Sequence, residues 1–205
     1  MLAYIKGELV EKSRGYVIID VCGLGYKVYM SQFAIENLGK VGEMIKVHTY
    51  YRVMEDDISI FGFNTKEELR LFELLISVSG VGAKTAITML GTVKPEEFAI
   101  AIISNDTNTL KKLPGVGAKT AGRIVLELKD KLKKEKQIEE LTDACINANE
   151  IKYSIQNDSK KEELYTALQV LGYSSKDINI VIDKIDNTLP IEEMIKKALR
   201  ELSKK

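Results

Sequence analysis

The hydrophobic positions in the first third of the chain recur with a period of two, in short runs rich in Val, Ile and Tyr that glycines interrupt. This pattern is typical of short strands joined by tight turns. Five strands are predicted, at Tyr4 to Val10, Tyr16 to Val21, Tyr26 to Met30, Ile45 to Val53 and Ile58 to Phe63. The stretch from Ser31 to Leu38 interrupts them and predicts one short helix, with Ser31 as its N-cap.

Five strands within about sixty residues favour a small closed barrel, because closure leaves no strand edge unpaired. A helix between the third and fourth strands is the element order of an OB-fold. We therefore predict an OB-fold barrel domain over residues 1–63.

After Phe63 the hydrophobic period changes to 3.6, which indicates helices. Asn64 and Thr65 are each followed three residues later by a glutamate, the signature of a capping box at a helix start. Further helices are predicted from Ala83 to Leu90, Pro95 to Ser104, Asn108 to Leu113 and Ala118 to about Lys134. The middle domain, residues 64–134, is expected to be all-helical.

The last third of the chain divides into a polar stretch and a helical one. Residues 135–158 show no firm hydrophobic period and are predicted to form a flexible linker. Three short helices follow within residues 159–205, at Ser159 to Leu171, Ser175 to Ile185 and Pro190 to Leu202. So small a three-helix bundle has little core of its own, which favours a docking role.

Composition adds two expectations. Lys plus Arg and Asp plus Glu balance at 30 each, but the middle domain carries 12 basic against 8 acidic residues, which makes it the part suited to a polyanion. Cys22 and Cys145 fit no metal-ligand spacing and indicate a reduced protein. The polar N-terminus and the lack of a long apolar run predict a cytoplasmic protein with no membrane partner.

The most informative feature is an exact internal repeat in the middle domain. The sequence Gly-Val-Gly-Ala-Lys-Thr-Ala begins at Gly80 and recurs 35 positions later at Gly115. Each copy follows one predicted helix and opens another. The unpaired amides at a helix start, together with the helix dipole, form a site for a phosphate. The candidate DNA-binding residues are Gly80, Gly82, Lys84, Thr85, Gly115, Gly117, Lys119 and Thr120.

Each repeat resembles a helix-hairpin-helix motif, which holds phosphates without reading bases. Lys84 and Lys119 lie where a cation gains nothing from the helix dipole, which makes sense if they reach the same phosphate. The alternative is that the glycines serve only as turn residues, which two identical copies make less attractive. An alanine between each second glycine and its lysine breaks the P-loop pattern, and a dinucleotide fingerprint lacks its third glycine.

No catalytic constellation is evident. His48 is the only histidine, and it alternates with Tyr50 in a predicted strand. Glu55, Asp56 and Asp57 cluster in a predicted turn, where by pattern alone they form a solvated acidic loop. We predict no metal, no cofactor and no enzymatic activity. The alternatives left open are a repair nuclease or glycosylase that uses the hairpins to hold DNA, and a generic DNA-binding protein.

Several segments together resemble the RuvA family of Holliday-junction proteins. They are a barrel ending in Ile60-Phe61-Gly62-Phe63, the hairpin sequence Lys112-Leu113-Pro114-Gly115-Val116-Gly117, the helix bearing Arg123 and Glu127, and Leu171-Gly172-Tyr173 in the last domain. The resemblance covers the whole chain apart from the linker. It implies a homotetramer that holds four-way junction DNA open during recombination and DNA repair.

The same resemblance implies roles for particular residues and partners. Glu55 and Asp56 match the family's acidic pin, and Arg123 joins the DNA contacts. The last domain is expected to dock on RuvB, a hexameric ATPase that supplies the motor, and a junction-resolving endonuclease is a further implied partner. Ala118, where relatives often carry a second lysine, and Met54, where a basic residue can precede the pin, depart from the family and imply somewhat weaker junction affinity.

Overall fold

A computed structural model describes residues 2–93, 95–131 and 159–203. These residues fall into two compact units. The first comprises the described residues of Met1–Ser77 with Val81–Val93, and the second comprises those of Val78–Gly80 with Lys94–Lys205. The linker predicted over residues 135–158 lies outside the described residues and stays a prediction.

The first unit is built on a closed five-stranded barrel with the strand order β1-β2-β3-β5-β4. Its strands are β1 Tyr4–Ser13, β2 Tyr16–Val21, β3 Leu24–Tyr29, β4 Met44–Val53 and β5 Ile58–Phe63. Only the β3–β5 pairing is parallel, and it closes the barrel. Helix α1, Gln32–Glu36, lies between β3 and β4, and its N-cap is Ser31, whose Oγ accepts from Ala34 N at 3.1 Å. The predicted barrel fold, with its strand and helix order, is confirmed.

One aromatic side chain fastens the helix α2, Lys66–Ile76, to the outside of this barrel. Phe72 is completely buried, and its ring centroid lies 4.9 Å from that of Phe63 and 5.4 Å from that of Phe61. The ring of Tyr50 meets it edge-on at 5.3 Å. Tilted and edge-on rings at these separations attract one another in addition to burying apolar area. The β4–β5 hairpin is thereby held between the barrel core and α2.

The start of α2 is capped by the residues that the sequence indicated. Thr65 Oγ1 accepts a hydrogen bond from Glu68 N at 3.1 Å, and Glu68 Oε2 accepts from Asn64 N at 2.9 Å. The glutamate therefore returns to the residue before the N-cap. Burial raises the pKa of the Glu68 carboxyl, and hydrogen bonds from the backbone N–H groups of Asn64 and Thr65 act in the opposite direction.

We expect Thr65→Ala to lower the free energy of unfolding by about 1 kcal/mol, because it leaves the Glu68 amide without its acceptor. Urea denaturation of the full chain would measure this loss. Thr88→Ala is the matched control, since Thr88 is an exposed residue within a helix and its hydroxyl donates to the Lys84 carbonyl. An unchanged midpoint for Thr65→Ala, or an equal loss in the control, would contradict the capping role.

Helices make up the rest of the described chain. In the first unit α3, Ala83–Leu90, packs against α2. The second unit contains α4 Pro95–Ile103, α5 Thr107–Lys111, α6 at residues 118–131, α7 Ser159–Val170, α8 Ser175–Ile182 and α9 Ile191–Leu202. The predicted helices of both domains are present, with ends that differ from the expected ones by a few residues.

The three C-terminal helices pack on one another and also on α4. Helix α7 contacts α8 and α9, while α4 contacts both α7 and α9. Leu164, Ala167 and Leu168 of α7 are fully buried, and even Gln169 is only 3% exposed. In this unit α4 therefore completes the core that the short helices alone would lack. No helix among the described residues is long and apolar enough to cross a bilayer.

Candidate nucleic-acid interface

The first copy of the repeat forms the turn between α2 and α3. Gly80 has a φ of +92°, a left-handed conformation that side chains with a Cβ rarely adopt. Gly82 is the N-cap of α3 in extended conformation, and its carbonyl accepts from Ala86 N at 2.9 Å. No side chain caps this helix, so the first amides of α3 keep their donors available to a ligand.

The second copy reproduces this geometry before α6. Gly115 has a φ of +77°, and the Gly117 carbonyl accepts from Ala121 N at 2.9 Å. Corresponding side chains have similar burial: Val81 and Val116 are 6% and 7% exposed, and the last alanine of each copy is fully buried. The identical sequences thus form the same turn twice, with the valine and the last alanine inward in both copies. They differ at the alanine before the lysine, which is buried at Ala83 and exposed at Ala118.

The two positions of each copy are occupied by glycine for different physical reasons. Gly80 and Gly115 need glycine for their positive φ. Gly82 and Gly117 have no positive φ, and a Cβ added at either would meet no atom within 4 Å. Neither the described backbone nor the described packing requires glycine there. The missing side chain leaves open space beside the helix start, which is what close approach of an external backbone needs.

The polar residues of the repeat surround these openings. Lys84 and Lys119 are exposed, and Thr85 and Thr120 are half-buried. Neither lysine ammonium makes a hydrogen bond or ion pair with another residue in the described ranges. Each is in the first turn of its helix, where repulsion from the dipole is not offset by a protein carboxylate. An anionic ligand at the free amides would supply that missing charge.

Arg123 has a more constrained position than the sequence suggested. It is half-buried, and its Nη1 donates to Ser79 Oγ at 3.0 Å. One helical turn further along α6, Glu127 Oε2 accepts from Ser79 N at 3.2 Å. The hydroxyl and the backbone N–H of Ser79, the residue before the first turn, therefore both bind side chains of α6 within the second unit. Sequence reasoning missed this pairing, because it joins residues 44 and 48 positions apart.

The acidic cluster lies in the tight turn between β4 and β5. Met54 N donates to the Asp57 carbonyl at 2.8 Å and closes the turn. The Asp57 carboxylate accepts from Ser59 Oγ at 2.6 Å and pairs with Arg52 Nη1 at 3.9 Å. Glu55 and Asp56 are exposed and make no hydrogen bond or ion pair with any described residue. The unbalanced negative charge at this tip therefore belongs to the two carboxylates that the family resemblance singled out.

The other side chains that could catalyse a reaction or bind a metal lie apart from one another. His48 lies in β4 opposite Tyr4 and Phe63, and burial and the nearby Lys46 and Lys66 lower the pKa of its imidazole. Cys22 is exposed in the β2–β3 turn. Among the described residues no three His, Cys, Asp or Glu side chains come together as a metal site.

Three segments of the chain match known families. Residues 1–62 match the family described as RuvA N terminal domain, residues 72–130 the SAM-like helix-hairpin-helix tandem, and residues 159–203 the RuvA C-terminal domain.

Curated relatives match along their full length and carry the name Holliday junction branch migration complex subunit RuvA. The protein of Acetivibrio thermocellus is 43% identical over 205 residues, which is all of both chains. That of Ruminiclostridium cellulolyticum is 41% identical over 203 residues, 98% of this chain and all of the relative. That of Clostridium botulinum is 39% identical over 204 residues and likewise covers both chains completely.

Proposed function

This chain belongs to the RuvA family, and from that membership we propose that it binds four-way DNA junctions as the non-motor subunit of a branch migration complex. The DNA would be held by its phosphates at the two hairpins. Recognition by phosphate contacts is nearly independent of base sequence and depends strongly on salt. A scaffold that must follow a moving junction through any sequence needs the first of these properties.

The observation that carries this proposal is the open space at Gly82 and Gly117. Each opening adjoins helix amides and a lysine without a protein partner, so amides and cation can converge on one phosphate. The uncapped start of α3 contrasts with α1, α2, α5 and α8, whose N-cap side chains accept hydrogen bonds. The first hairpin thus leaves its helix amides to an external anion, since no side chain of the protein caps them.

The acidic tip explains why the target would be a junction rather than a simple duplex. Two uncompensated carboxylates repel any phosphate that approaches them. At a crossover, where four backbones converge, Glu55 and Asp56 would push the strands apart and direct each into its arm. A linear duplex presents no such convergence and gains nothing from the tip.

The assembly and the partners that we propose follow the family resemblance. The active form would be a homotetramer, in which four acidic tips meet at the crossover. The C-terminal helices would dock on a RuvB-type hexameric ATPase, which would hydrolyse the ATP, and a junction-resolving endonuclease would act on the same complex. The complex would work in the cytoplasm, without a cofactor on this chain.

Full-length likeness to proteins named as branch migration subunits favours this function over a repair nuclease or glycosylase. The same likeness favours this function over a generic DNA-binding role, because the domains on both sides of the hairpins match RuvA families.

A gel-shift comparison of a four-way junction with a linear duplex of the same sequence tests the proposal. We expect tighter binding to the junction, and Glu55→Gln with Asp56→Asn should keep or strengthen DNA binding while reducing this preference. Glu8→Gln with Glu73→Gln removes the same charge from exposed positions elsewhere in the first unit and should leave the preference intact. Equal affinity of the wild type for both DNAs would refute junction recognition, and cleavage of either DNA in magnesium would favour a nuclease.

A further inference from the structure

Apolar side chains alternate along β4 and β5 and build the barrel core. The same alternation continues towards the β4–β5 turn, where the apolar side chains are no longer buried. Val47 and Thr49 of β4 are buried, and Tyr51, which pairs with Ile60, is half-buried. Two positions further along, Val53 pairs with Ile58, and these side chains are 59% and 64% exposed. Because side chains two apart share a face, both project from the core-facing side of the hairpin.

The opposite face of the same hairpin is polar and internally satisfied. Arg52 pairs with Ser59 across the strands, and both contact the Asp57 carboxylate. The charge of Asp57 is therefore balanced on that side. Met54, 49% exposed, adjoins Val53 at the turn. We call Val53, Met54 and Ile58, the three exposed apolar residues that flank the acidic turn, the apolar collar.

We propose that the apolar collar receives the faces of bases that are unpaired at the crossover of the junction. Phosphates cannot occupy this position, because Glu55 and Asp56 repel them. Bases can, since they carry no net charge and their faces are apolar. Aliphatic side chains commonly act in this way when DNA is opened, by filling the space that a separated base step leaves.

This inference rests on the proposed function and adds a second role to the hairpin. The acidic tip separates backbones, and the collar lowers the cost of the bases left without partners. The hairpin would then favour the open junction by two separate means, one that depends on salt and one that does not. The competing occupant is a second copy of this chain, whose contact would not require DNA.

The test uses the full chain and a four-way junction with 2-aminopurine beside the crossover, whose emission rises when the base leaves its stack. We expect emission to rise when the wild type binds. Val53→Thr with Ile58→Thr keeps the branched shape and the exposure but adds hydroxyls, and should reduce that rise by about half or more. Ile58→Leu, which stays apolar, should retain it. Leu24→Thr changes an equally exposed residue, 64%, at the start of β3 and should have no effect.

Each outcome has one meaning for the collar. A full emission rise with the double threonine variant would overturn the inference, as would no rise in a wild type that still prefers junctions to duplex. A lower native mass of the variant without DNA would also overturn it, because the collar would then be a protein contact. Equal wild-type affinity for junction and duplex would instead refute the proposed function.

Discussion

Gly82→Ala combined with Gly117→Ala is expected to abolish tight junction binding while the chain stays folded. The added methyl groups meet no described atom within 4 Å, and neither glycine has a positive φ, so alanine fits the free protein. In the complex the same methyl groups would occupy the space through which a phosphate reaches the helix amides. Losing charge-assisted hydrogen bonds of about 1.5–3 kcal/mol at each of two sites predicts affinity lower by about 100-fold or more.

Fluorescence anisotropy with labelled junction would give the affinities, and thermal unfolding would confirm the fold. Gly25→Ala is the control, because its added Cβ would make an ordinary contact of 3.5 Å with Ile18 in the barrel. It should bind like the wild type. Retained junction affinity in the double hairpin variant would show that the openings are not where DNA approaches. Unfolding of that variant would show that the glycines serve the protein's own structure.

Lys84→Ala combined with Lys119→Ala should weaken DNA binding and also make it less sensitive to salt. Each lysine that neutralises a phosphate releases counterions, so its removal should lower the slope of log affinity against log salt by about 0.9, or about 2 for both lysines of one chain. The loss should be similar for junctions of any sequence, because these contacts read no bases.

Titrations at several salt concentrations measure this slope directly. Lys6→Ala with Lys40→Ala removes two exposed barrel cations and should change the slope little. If the hairpin variant lost affinity at an unchanged slope, the lysines would support the hairpins without touching phosphate. If both pairs changed the slope alike, binding would depend on overall charge rather than on two defined sites.

The fold of the barrel was predictable because its signals are local. Each strand carries its own alternation, and Ser31 and Thr65 cap their helices through hydrogen bonds to residues three positions away. The repeated turn was equally predictable, since identical heptapeptides place glycine at the same positive-φ position of the turn. For these features, neighbouring residues contain the whole physical cause.

Features that depend on distant partners could not be read in this way. The Arg123 contact with Ser79 is absent from any local pattern, and so Arg123 was assigned to DNA alone. Similarly, the residue pattern alone leaves three equivalent acids at positions 55 to 57, whereas in the structure only Asp57 pairs with Arg52 and accepts a hydrogen bond from Ser59. The exposure of Val53 and Ile58 was also hidden, because their alternation continues that of buried neighbours.

The packing of α7 and α9 on α4 affects how a shortened chain would behave. Phe98, Ala99, Ala101 and Ile102 of α4 are at most 2% exposed, and α7 and α9 are among the helices that cover this element. A protein ending before Ser159 would therefore expose these apolar residues of α4 to solvent. Self-association of such a fragment would report the lost cover and not the natural assembly of the intact molecule.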